Sequence, residues 1–181
     1  MIFFALGTLL KSGLSFFPQN TTPHYQTPTV QFQAPRQITI PTIDIKVAVT
    51  PGGIDQGNWI LSEDKALFLP SSGLLGEGFN TIIYAHKREG LFVNLKKVTL
   101  GDKIWLEDQT GKSFIYKVYS VENIDPTNLE KLKSKTPNNL TLFTCDGWFD
   151  QSRLMVKAKR EFLEDDISLK YFQKKPQLSF N

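Results

Sequence analysis

Between residues 37 and 160, apolar residues recur at alternate positions over short stretches separated by turn formers. That period of two predicts strands. Stretches 37–41 and 46–50 are short and β-branched, with Asp44 between them. Stretch 80–86 is apolar in the middle and polar at both ends. Stretch 103–107 follows the turn signal Gly101-Asp102, and Thr110-Gly111 leads into 112–123. In that last stretch Phe114, Tyr116 and Val118 lie on one parity and Ile115, Tyr119 and Val121 on the other. Both faces are then partly apolar, as in a strand of a closed barrel. Stretches 139–145 and 153–160 complete the set, and 126–133 suits a short helix with Asp125 as cap and Pro126 in its first position. About eight short strands and few helices indicate a mainly β fold, an antiparallel barrel or sandwich. An α/β fold would need long helical stretches between the strands, and the pattern has none.

The two ends read differently. Residues 1–17 are mostly apolar and stop at Pro18, but Lys11 interrupts them after a clean run of ten. Ten residues span roughly 15 Å as helix, about half a bilayer core. No basic n-region opens the segment as a signal peptide would, so it is read as a short or partial N-terminal membrane anchor. Residues 18–36 hold four of the ten prolines and no acid, the composition of a semi-rigid linker reaching on the order of 60 Å. Residues 161–181 form a tail without a long apolar run and without an assigned role. Anchor, linker and domain together imply a catalytic domain held at a cell membrane.

Charge narrows the partners. The 181 residues carry 21 Lys+Arg against 18 Asp+Glu, and Lys11 and Arg36 account for the surplus in residues 1–36. The rest is nearly neutral and has no field to hold a phosphate backbone, so nucleic-acid binding is not expected. One cysteine excludes an internal disulfide framework. With two histidines and no obvious acidic cluster, no metal and no cofactor are expected.

Three residues can do chemistry together. Cys145 is the lone thiol, ending the stretch T-L-F-T-C before the turn signal Asp146-Gly147. His86 ends stretch 80–86, and Arg153 begins the stretch after Cys145, where a turn can bring it back beside the thiol. A thiolate is a nucleophile, and a neighbouring imidazolium both stabilises it and protonates a leaving amine. An arginine, charged at every relevant pH, steadies an oxyanion or holds the substrate backbone. Those functions suffice for acyl transfer from a peptide carbonyl. Taken singly, each residue also has a structural reading: a buried small side chain, a satisfied polar group, a solvated charge.

Residues 141–145, T-L-F-T-C, resemble the T-L-x-T-C signature of the sortases, cysteine transpeptidases of the bacterial cell envelope. Arg153-Leu154-Met155-Val156 is similar to that family's arginine-led final strand. Residues 78–86 resemble its G-x-N-T-x-I-x-G-H segment, with Ala85 where glycine is frequent. Ile40-Pro41-Thr42-Ile43 is similar to its opening I-P-x-I strand, and Phe92, Leu95 and Gly101-Asp102 match its F-x-x-L…G-D stretch.

The resemblance, over residues 37–160, implies a closed eight-stranded β-barrel with His86, Cys145 and Arg153 around a groove and Thr144 lining it. It implies cleavage of an LPxTG-like sorting signal on surface proteins through a thioacyl intermediate on Cys145. An amine on peptidoglycan or a pilin then resolves that intermediate outside the cytoplasm. The tail, having no membrane helix, sets expectation against class C and toward classes A, D, E or F. Two other readings stand beside this one. An L,D-transpeptidase places glycine before its cysteine and arginine close after it, unlike Cys145 and Arg153. A catalytically silent peptide-binding barrel would not need the intact trio.

Overall fold

The structure is a computed structural model that describes residues 33–132, 136–146 and 152–162, with the backbone alone for Leu129, Cys145 and Asp146. The anchor expected at 1–17, most of the linker and nearly all of the tail lie outside the described residues. Alternation is realised as β1 (Pro35–Ile40), β2 (Ile45–Pro51), β3 (Ile54–Asp55), β4 (Asn58–Trp59), β5 (Ala66–Phe68), β6 (Asn80–Tyr84), β7 (Lys103–Asp108), β8 (Ser113–Ile124), β9 (Asn139–Asp146) and β10 (Ser152–Glu161). Short 3-10 helices occupy Pro41–Ile43, Val93–Lys97 and Leu129–Leu132. Among the described residues, no helix is long and apolar enough to cross a membrane.

Eight strands close a barrel in the order β1-β2-β5-β6-β9-β10-β8-β7, with β7 returning to β1, and β3 and β4 form a separate hairpin. The expected eight-stranded mainly β barrel is present. It differs from an all-antiparallel one at two joints: β2 with β5, and β6 with β9, run parallel. Parallel neighbours need a crossover rather than a tight hairpin, and residues 52–65 and 85–138 provide the two crossovers. Strand β1 begins at Pro35, two residues before the expected domain start; proline is tolerated as the first residue of a strand.

The barrel interior holds Ile38, Ile40, Val47, Val49, Ile104 and Leu106 with their counterparts from the other strands, all buried. The two apolar parities of β8 are reconciled by a bulge. Opposite Lys157 and Ala158 of β10 stand Ser120 and Val118, so Tyr119 is the extra residue. Phe114, Tyr116 and Val118 face inward before the bulge, and Val121 packs on the core after it.

A second apolar cluster lies on the outer face, built from Leu67, Ile82, Tyr84, Ile124, Leu132, Phe143 and Met155 with Trp59 and Leu69 against it. The helix expected at 126–133 is reduced to the 3-10 turn Leu129–Leu132. Asp125 does not cap an α-helix; its Oδ1 accepts from the Thr127 amide at 2.8 Å and the Thr127 hydroxyl at 2.5 Å, closing a local turn. Those two hydrogen bonds, the hydroxyl's first, hold the Asp125 carboxyl below its ordinary pKa.

Candidate active site

Register brings the candidate residues together. In the antiparallel β9–β10 pair, Cys145 stands directly opposite Arg153. In the parallel β6–β9 pair, the last paired positions are Tyr84 and Phe143. The Ala85 amide then donates to the Phe143 carbonyl at 3.4 Å. His86 is two residues past Tyr84 and Cys145 two past Phe143, just beyond the last paired positions of the parallel joint. The same alternation puts positions 86, 145 and 153 in phase with Tyr84, Phe143 and Met155 of the outer cluster. Arg153 is half-buried, and its Nη1 donates to the Ser152 carbonyl at 3.3 Å.

The imidazole of His86 is 31% exposed, and its Nε2 lies 3.8 Å from Glu63 Oε1. The other oxygen of Glu63 accepts from Arg88. Glu63 therefore stands between two groups of the segment that follows β6. The backbone there is held as well, since the Phe92 amide donates to the His86 carbonyl at 3.1 Å and the Phe92 ring is buried.

Thr144, expected to line the groove, is 2% exposed, and its hydroxyl donates to the Ala85 carbonyl at 2.7 Å. Its parity is that of Leu140 and Leu142, which face the barrel interior. It thus joins the residue before Cys145 to the residue before His86.

Three aromatic rings and a glutamate near the candidate residues carry no signal of a site in the sequence pattern. Trp59 packs edge-on against Tyr84 at 4.7 Å and Phe143 at 4.8 Å, and those two stack at 5.2 Å. Trp59 is delivered by the β3–β4 hairpin, whose two-residue turn has Gln56 at φ 47° and Gly57 at φ 82°. Positive φ at both central positions is the turn that suits strand twist. Gln-Gly is a weaker signal than Asn-Gly, and strands of two residues leave no period to read.

The Tyr84 hydroxyl ties the hairpin down, donating to the Gly53 carbonyl and accepting from the Gly53 amide, both at 3.0 Å. Burial, opposed by the Gly53 amide, raises the Tyr84 pKa. Gly52 is required by close approach, because a Cβ there would come within 2.5 Å of that hydroxyl. Among the described residues, no group of three or more metal-ligating side chains gathers.

Residues 38–161 match the family of the sortase domain, and the chain belongs to that family of cysteine transpeptidases. Solved structures agree. Sortase A from Corynebacterium diphtheriae is 28% identical with a TM-score of 0.62, over 74% of this chain and 63% of that one. Sortase C from Clostridium perfringens SM101 is 26% identical with a TM-score of 0.59, over 74% and 72%. Streptococcus agalactiae sortase C1 is 27% identical with a TM-score of 0.60, over 72% and 69%. The chain thus spans less than two thirds of the Corynebacterium structure. No match was found among curated proteins.

The expectation against class C is corrected by these likenesses. Two class C enzymes match about as closely as the class A enzyme does. The expectation leaned on the tail, which is outside the barrel that the classes have in common.

Proposed function

We propose that the protein is a transpeptidase whose nucleophile is Cys145, with His86 as general acid and base and Arg153 as the fixed cation. The observation that carries this reading is the double register, Cys145 opposite Arg153 on one side and alongside the His86 segment on the other. The thiolate adds to a peptide carbonyl carbon, and the oxyanion that forms is steadied by the guanidinium. The carbon–nitrogen bond breaks, the amine departs with a proton from the imidazolium, and a thioester remains. An incoming amine attacks that thioester, His86 accepts its proton, and the thiolate is released. Water in place of the amine gives hydrolysis.

The substrate proposed is a surface protein bearing an LPxTG-like sorting signal. The acceptor is an amine on peptidoglycan or a pilin, and the place is the outer side of the cell membrane, with residues 1–17 as anchor. Thr144 acts here by position, holding the histidine segment to the nucleophile's strand, rather than by touching substrate.

Incubation of the full chain with a sorting-signal peptide library and hydroxylamine tests the reading. Hydroxylamine captures the thioacyl group as a hydroxamate, which mass spectrometry reports together with the cleavage position. Cys145→Ala should give neither cleavage nor hydroxamate while keeping the wild-type thermal midpoint. Cleavage by that variant at the wild-type rate would overturn the mechanism.

A further inference from the structure

We propose that the outer face of β7, β8 and β10 is a docking surface for an anionic lipid bilayer, an inference that rests on the enzyme working at a membrane. Three lysines stand in one row across three strands: Lys103 opposite Lys117, and Lys117 opposite Lys159. Directly opposed residues of an antiparallel pair have Cα atoms about 4.5–5.5 Å apart, and like charges there are destabilising. Among the described residues, Lys103 alone of the three has a carboxylate, Glu161 Oε2 at 3.2 Å. On β7 itself the acid on the outer face, Glu107, is engaged by Arg36. The face therefore carries uncompensated positive charge at a cost to the fold, and a partner that neutralises it would remove that cost.

The neighbouring row identifies the partner's chemistry. Trp105, 46% exposed, stands between Thr39 of β1 and Ile115 of β8. Leu100, 68% exposed, sits at the turn that opens β7. Indole and leucine side chains gain nothing from a hydrated polyanion but are at home at the headgroup level of a bilayer. Lysines around them add attraction to anionic lipid. Along β10, Lys159 is six residues from Arg153, roughly 20 Å of strand. A bilayer against the lysine row leaves the candidate site clear of it.

The experiment is flotation of the full chain with vesicles of phosphatidylcholine alone, and of phosphatidylcholine with about a third phosphatidylglycerol. The wild type should partition more strongly to the anionic vesicles. The triple substitution Lys103→Gln, Lys117→Gln, Lys159→Gln should weaken that binding by about tenfold to a hundredfold. It should change nothing on neutral vesicles, keep or raise the thermal midpoint, and leave sorting-peptide cleavage in solution intact. Trp105→Ala should weaken binding to the anionic vesicles severalfold.

Undiminished binding of the triple variant to anionic vesicles would overturn the proposal, with the terminal segments then carrying the contact. Lysine-dependent binding to a soluble glycerol phosphate polymer, with none to vesicles, would also overturn it. Cleavage in solution reports on the catalytic reading separately, so failure of the two is distinguishable.

Discussion

Strands β6, β9 and β10 build two unlike surfaces from the same residues in alternation. Ile83, Leu142 and Val156 face the barrel interior, aliphatic and buried, and the barrel's own strands close over them. Tyr84, Phe143 and Met155 alternate with them on the outside. Their cover is Trp59 from a hairpin, together with Ile124 and the Leu132 turn. The inner face is mainly aliphatic, with a few satisfied hydroxyls such as those of Thr81 and Thr144. The outer face mixes rings, hydroxyls and charges, and much of its cover belongs to connections rather than to barrel strands. Connections change more readily than strands, so one barrel can present different outer faces while its interior stays fixed.

Substitutions on the two faces should separate activity from stability. The largest effect expected is on the outer face: His86→Ala and Arg153→Ala should each lower kcat/KM for a sorting peptide by about 10²–10⁴, with little shift in thermal midpoint. Rates near wild type for either would remove that residue from the site. Leu142→Ala on the inner face should do the reverse. It should cost about 2–5 kcal/mol of unfolding free energy in a urea titration while kcat per folded molecule stays unchanged.

Smaller effects are expected where the hairpin is fastened. Tyr84→Phe keeps the ring but removes both links to Gly53, so it should cost about 1 kcal/mol and show faster amide exchange at the hairpin. Equal exchange would mean that ring packing alone holds the cover. The smallest effect is expected at alkaline pH. Burial, opposed by Arg160 and Thr81, raises the Tyr116 pKa to about 12. A folded pKa above the unfolded value of about 10 gives stability that is complete below pH 10 and lost as pH rises through about 12. Tyr116→Phe should flatten that decline in a circular-dichroism titration.

Legibility followed period and length. β1, β2, β7, β9 and β10 were readable because alternation runs through most of each, and the bulge at Tyr119 explains why β8 seemed apolar on both sides. β5 has three residues, all buried, and offers no alternation to detect. The two parallel joints depend on which strands meet across crossovers, and no local signal encodes that. At the candidate site, His86, Cys145 and Arg153 stood out by residue type at strand ends. Trp59 and Glu63 did not, because the crossover between β2 and β5 brings them in space to Tyr84 and to His86 respectively. Thr144 adjoins Cys145 in the motif, but its alternation with Phe143 sends its side chain to the barrel interior.

Asn80 and Asn139, paired across the parallel joint, have a consequence for alignment. Asn139 Nδ2 donates to Asn80 Oδ1 at 2.9 Å, the Thr141 hydroxyl donates to the same oxygen at 3.0 Å, and Asn80 Nδ2 donates to the Leu132 carbonyl at 2.9 Å. Greasy strands alone would tolerate sliding past one another, and a slip of one residue would turn Phe143 inward and Leu142 outward. A buried amide whose partners exist in one setting acts as a key in its keyway. It locks the joint at its base, and the paired register then runs unbroken to Tyr84 and Phe143, two residues short of positions 86 and 145.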